Sequence, residues 1–134
     1  NVGPTARGEF DNRALERLQG IGVWMRRHGR SIYGCTEAPA GIDTPEDCRL
    51  TYNPKTNRLY VHVFAWPYMQ LYIDGLGDRV EYAQFLHDAS QLTLGVDDWR
   101  AKQVGAVHRK DSCVVNLPQK KPDVAVPVIE LFLK

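Results

Sequence analysis

The chain has 134 residues, with 17 Lys+Arg against 16 Asp+Glu and a formal net charge of +1. That length supports one compact domain with a real core, and 43% hydrophobic against 25% charged residues is a globular balance that argues against disorder. Near-neutral charge gives no electrostatic reason for nucleic acid or an acidic membrane as a partner, and no apolar run approaches the about 20 residues that span a bilayer.

Asn1 to Gly8 (NVGPTARG) carries neither the charged nor the apolar region of a signal peptide and has no initiator Met. The chain therefore reads as one that begins inside a longer protein. A helix is expected over 12–28. Asp11 or Asn12 serves as N-cap, and Ala14, Leu15, Leu18, Ile21 and Met25 recur at spacings of three and four, with Trp24 at one shoulder. Gly20 and Gly22 each weaken it by about 1 kcal/mol relative to Ala and suggest close packing against a neighbour. Gly29 is placed as the C′ stop. The apolar stripe is expected to meet the sandwich, another chain or residues of a larger protein rather than water.

Thr36 to Asp47 belongs to a Pro/Gly/Asp-rich connector, and from Cys48 onward the period changes to two. Arg49–Tyr52 runs into the turn Asn53-Pro54-Lys55-Thr56-Asn57. A strand then covers Arg58–Trp66, with Leu59, Val61 and Val63 on one buried face and Phe64 and Trp66 on the other side; Pro67 stops it. Further strands are expected at Gln70–Ile73, Arg79–His87, Leu92–Val96, Val104–Arg109, Ser112–Leu117 and Val126–Leu133. The fold class is mainly β: an antiparallel β-sandwich of about seven or eight strands preceded by one amphipathic α-helix.

Catalytic signals are sparse. There is no nucleophile elbow, P-loop or H-E-x-x-H, and Gly20-x-Gly22 lies inside a helix rather than after a strand. Asp74-Gly75-Leu76-Gly77-Asp78 reads as a turn, because it lacks the alternating acidic ligands of a calcium loop. Cys35, Cys48 and Cys113 match no zinc spacing and read as small buried or half-buried thiols. His28, His62, His87 and His108 are scattered; His62 and His87 are expected to be satisfied packing residues. Asp97-Asp98 reads as a solvated turn. The aromatics Tyr60, Phe64, Trp66, Tyr68, Tyr72, Tyr82, Phe85 and Trp99 leave a free-standing carbohydrate-binding β-sandwich module as an alternative, although strand aromatics are more often core.

The order of landmarks resembles the C-terminal part of the family 29 glycoside hydrolases, the retaining α-L-fucosidases. Asn1-Val2-Gly3-Pro4-Thr5-Ala6-x-Gly8 is similar to the family's N-[VI]-G-P-x-x-x-G segment, and Leu18, Ile21 and Trp24 to its following helix. His28-Gly29-Arg30-Ser31-Ile32-Tyr33-Gly34 stands where the family has N-G-E-[AS]-I-Y-[GE]. Leu59-Tyr60-Val61-His62-Val63-Phe64-x-Trp66-Pro67, Gly75-Leu76, Leu117-Pro118-x-x-x-Pro122-Asp123 and Val128-Ile129-Glu130-Leu131 continue the likeness. His28 and Arg30 depart from the usual Asn and Glu, and 36–47 follows no family pattern.

The resemblance implies three segments: 1–34 as the end of a catalytic barrel, 35–47 as a connector, and 48–134 as the C-terminal sandwich. It implies that the family's two catalytic carboxylates lie upstream of Asn1, so that this chain alone is inactive and carries no catalytic residue. It places Asn1, Gly3 and Pro4 on the rim of the substrate pocket, and it implies no metal and no cofactor. The partners it implies are the catalytic barrel and, through it, a fucosylated glycan, with no nucleic acid and no membrane. A purely structural docking domain is a third reading.

Overall fold

The computed structural model describes residues 3–95 and 111–134. Helix α1 (Asn12–His28) runs into a 3-10 turn (Gly29–Ser31), and the strands follow as β1 (Cys48–Asn53), β2 (Arg58–Val63), β3 (Gln70–Ile73), β4 (Val80–Phe85), β5 (Gln91–Leu92), β6 (Cys113–Asn116) and β7 (Val128–Leu133). No helix among the described residues is long and apolar enough to cross a membrane.

The helix has its expected bounds. Asp11 caps it, its carboxylate accepting from the Arg13 backbone N–H at 2.8 Å and so satisfying one orphan donor of the first turn. Its other end differs from expectation. Gly29 is right-handed at φ −55°, and the chain tightens into the 3-10 turn instead of stopping. A Cβ there would stand 3.1 Å from the ring of Tyr33, an exposed side chain that would have to shift by a few tenths of an ångström. Gly20 has nothing within 4 Å of such a Cβ and Gly22 meets only Arg26, so neither makes the expected close approach.

All strand pairs among the described residues are antiparallel. The larger sheet has the order β1-β2-β7-β4-β5, and β3 pairs with β6 in a second, smaller one. Period-two alternation fills the space between them: Leu59, Val61, Ala83, Ile129 and Leu131 from the large sheet meet Leu71, Ile73, Cys113 and Val115 from the small one. Strand β2 ends at Val63, three residues sooner than expected: its partner β1 begins only at Cys48 after a left-handed Asp47 (φ 53°), so the pairing goes no further than the bond from the Phe64 N–H to the Asp47 carbonyl. Past that point alternation no longer sets direction. Trp66 folds back onto the same core as Val61, and Phe64 is 60% exposed. Strand β5 is shorter than the expected Leu92–Val96, with Leu94 making an isolated bridge to Val115. The expected strand Val104–Arg109 lies outside the described residues.

Two turns lock the layers. Asn57, left-handed at φ 53°, closes the β1–β2 hairpin, accepts from the Tyr52 hydroxyl and donates to the carbonyls of Leu133 and Lys134, tying the hairpin to the last strand. Segment 35–47 lies along the sandwich, with Thr36 bridging Tyr52 and the Asp43 N–H donating to the Asp74 carbonyl. The Asp-Gly turn after β3 presses against this segment: a Cβ on Gly75, at φ +84°, would meet the Gly41 carbonyl oxygen at 1.8 Å.

Gly75→Ala is therefore expected to lower the unfolding free energy by more than about 2 kcal/mol, combining a left-handed alanine with a backbone clash. Gly20→Ala in the open helix face is expected to raise it by about 0.5–1 kcal/mol. Urea denaturation of the two variants checks both signs.

Candidate functional site

The outer face of the large sheet is where the sequence departs from ordinary packing. Alternation turns Tyr60 and His62 of β2, Val128 and Glu130 of β7, and Gln84 of β4 away from the core. A face with this polarity normally meets water. Here the end of α1 and the 3-10 turn cover it, and Tyr60, Leu86 and Val128 form a second small cluster with Trp24 and Cys35 against it.

Glu130 is 4% exposed. Its carboxylate accepts from the Arg30 guanidinium at 2.7 Å and from the Gln84 amide at 2.6 Å, and the Tyr60 hydroxyl donates to it as well. Burial, with the Glu130 charge and hydrogen bond behind it, pushes the Tyr60 phenol up to about 12. Arg30 keeps half its side chain in water. The arrangement is a complete, charge-compensated anchor, and such completeness is a mark of structure rather than of a poised acid or base.

Beside it, the Trp24 indole N–H donates to the Val126 carbonyl at 2.9 Å and its ring stacks on His28. His28 and His62 are buried, and burial holds both imidazoles below their ordinary value. Next to this junction lies an open groove of about 590 Å³ lined by Gly20, Ile21, Trp24, Ile32, Phe64 and Val126 among others, with walls almost wholly of carbon. It runs into the outward stripe of α1, where Leu15, Leu18 and Ile21 are 38%, 42% and 59% exposed. Met25 is half-buried.

The residues picked from the sequence scatter. Gly3 and Pro4 are exposed, away from the groove, and nothing lies within 4 Å of a Cβ at Gly3; Asn1 is outside the described residues. The cysteines are free thiols, Cys35 half-buried and Cys48 and Cys113 buried, the last two pushed up to about 11 chiefly by burial and so unreactive at neutral pH. No group of three metal-ligating side chains occurs among the described residues. Of the candidate aromatics, Tyr60 and Phe85 are buried, Trp66, Tyr72 and Tyr82 half-buried, and Tyr68 and Phe64 exposed. Trp99, His108 and Asp97-Asp98 lie outside the described residues. His62 is satisfied through Thr51, as expected; His87 is not, since its Nδ1 is buried without a partner. Sequence reasoning missed the Glu130 anchor. Its signal was available: a single charge inside the apolar run Val128–Leu133.

No protein-family model matches the chain, and no curated protein sequence does. Solved structures do. α-L-Fucosidase isoenzyme 1 from Paenibacillus thiaminolyticus matches with a TM-score of 0.83 and 36% identity, over 100% of this chain and 30% of that one. A family 29 α-L-fucosidase from Bacteroides thetaiotaomicron matches with a TM-score of 0.77 and 25% identity, over 100% of this chain and 28% of that one. The α-fucosidase of Thermotoga maritima shares the fold, with a TM-score of 0.72 at 23% identity, over 98% of this chain and 29% of that one. The chain thus spans about 30% of the length of the fucosidases it matches.

Glu130→Ala leaves the Gln84 amide and the Tyr60 hydroxyl buried without an acceptor, while Arg30 returns to water. Thermal unfolding is expected to show a loss of about 2–4 kcal/mol.

Proposed function

We infer, for a chain whose sequence and fold are those of the C-terminal part of a family 29 α-L-fucosidase, that it is the accessory sandwich of such an enzyme, with helix α1 turned toward a catalytic barrel. In this reading 1–34 completes the barrel, 35–47 connects, and 48–134 is the sandwich. Asn1, Gly3 and Pro4 then belong to the rim of the substrate pocket. The completed enzyme releases terminal α-linked fucose with retention of configuration, and the fucosylated glycan reaches this chain only through the barrel.

The observation that carries the reading is the bare stripe of α1. Burying a Leu-sized side chain is worth about 1.5–3 kcal/mol, yet Leu15, Leu18 and Ile21 are exposed, and Ile21 also lines a carbon-walled groove. A covering domain resolves that cost. The chemistry agrees. Retaining hydrolysis needs two carboxyl groups about 5–5.5 Å apart, one attacking the anomeric carbon and one protonating the leaving oxygen. Glu130, the buried carboxylate among the described residues, is held by three donors and has no buried carboxylate partner there. The Bacteroides thetaiotaomicron relative was trapped as a covalent intermediate with 2-fluoro-fucosyl fluoride, which supports retention in the family. A free-standing sugar-binding module is the weaker reading, because most of its candidate platform rings are buried or half-buried and the exposed Phe64 lines a groove poor in polar groups.

Purified 134-residue chain is expected to leave an aryl α-L-fucoside untouched, and turnover is expected once a separately made barrel domain is added. Turnover by the chain alone, lost on changing one of its own Asp or Glu residues, would overturn the assignment. Leu18→Lys is expected to leave the stability of this chain within about 0.5 kcal/mol while abolishing activity on recombination. Thermal unfolding and the same fucoside assay measure the two effects separately.

A further inference from the structure

The end of helix α1 sits on the sheet through a junction of three imidazoles. The Trp24 ring stacks on His28 with centroids 4.7 Å apart and stands 6.0 Å from His62, and His28 is 6.3 Å from His87. Hydrogen bonds decide which nitrogens carry protons. A carbonyl only accepts, so His28 Nδ1, 3.0 Å from the Trp24 carbonyl, holds the proton and Nε2 is left as a bare lone pair. Thr51 spends its hydroxyl proton on the Ser31 carbonyl at 2.6 Å, so His62 Nε2 at 3.1 Å donates to Thr51 Oγ1. His87 Nε2 faces the Asp88 carboxylate at 3.5 Å. That leaves His28 Nε2 and His87 Nδ1, both buried and both without a hydrogen-bond partner among the described residues.

We propose that this junction is a pH-operated latch: neutral His28 and His62 keep the C-terminal end of α1 seated on the sheet, and their protonation in mildly acid solution releases it. A lone pair without a donor is tolerated in close packing. A proton on His28 Nε2 instead places a charge and an unpartnered N–H at a site with no exposed surface. The surrounding charges do not rescue it. On α1 itself Arg27 repels it, and His87, across from it after β4, repels it once charged. Asp88 balances only His87, from a half-exposed position. On β7, Glu130 is already committed to Arg30 of the 3-10 turn, Gln84 of β4 and Tyr60 of β2. Tyr60 and Cys35 stay neutral through this range, both raised chiefly by burial.

The sign follows. His28 and His62 both titrate below the ordinary imidazole value of about 6.5, with burial as the largest cause, so the released form binds more protons than the seated one. The latch is at full strength above that pH and weakens as pH falls through it. This inference does not rest on the fucosidase reading, since helix and sheet are both in this chain.

Hydrogen–deuterium exchange on the 134-residue chain, corrected for the intrinsic pH dependence, tests it. Protection at 25–33 is expected to fall severalfold between pH 7.5 and pH 5, while 59–63 keeps its protection. In His28→Phe, which keeps a ring against Trp24 but cannot titrate, the fall is expected to be clearly smaller than in the native chain. Unchanged protection in the native chain overturns the latch, as does an equal fall in the variant. If the variant does not fold, proton NMR titration of the histidine rings in the native chain decides. A His28 ring that titrates at its ordinary value with the helix still protected overturns the proposal, and titration below that value in step with the loss of protection supports it.

Discussion

Strand β7, the last in the chain, occupies the centre of the large sheet, and everything else is arranged around it. It pairs with β2 on one side and β4 on the other, so neither half of the sheet is complete until the C-terminus has been placed. Its two faces do different work. Ile129 and Leu131 point into the core, while Val128 and Glu130 point outward beneath the helix end. A fold closed by its most distant segment depends on long-range pairing, whose loop entropy must be overcome before the contacts contribute.

The outward face of β7 explains why a helix lies on the sandwich at all. A carboxylate at the centre of a sheet is unfavourable unless its charge and lone pairs are matched. Arg30 supplies the charge from 100 positions away, and Gln84 and Tyr60 complete the set. The helix is thereby held at its C-terminal end through Trp24, His28 and Arg30, while the apolar side chains of its first two turns are exposed. That asymmetry leaves the apolar stripe of α1 facing outward from the sandwich.

The same junction concentrates the chain's titratable chemistry. The buried cysteines are dispersed in the core and silent at neutral pH, whereas the histidines of the described residues gather where two elements meet. In the family pattern two positions of this region, His28 and Arg30, are Asn and Glu instead. One departure supplies the guanidinium that meets Glu130, and the other the imidazole that stacks on Trp24.

What the sequence determined by itself was local. Spacings of three and four placed α1, and a short acceptor at Asp11 began it. Alternation placed the inner face of β2 and the course of β3, β6 and β7, because a side chain's direction on a regular helix or strand is fixed by backbone geometry one residue at a time. The order of short motifs pointed to the fucosidase likeness. Where regularity ends, that reasoning ends too. The sequence put Phe64 and Trp66 on one side together, but the strand stops at Val63 and the two rings part. It treated Gly29 as a C′ stop, whereas the backbone there is right-handed and tightens into a 3-10 turn. Glu130, Arg30 and the histidine junction were decided only by the tertiary structure. Their partners lie up to about a hundred residues apart, and no local period carries information on which distant side chain will arrive to meet a buried charge.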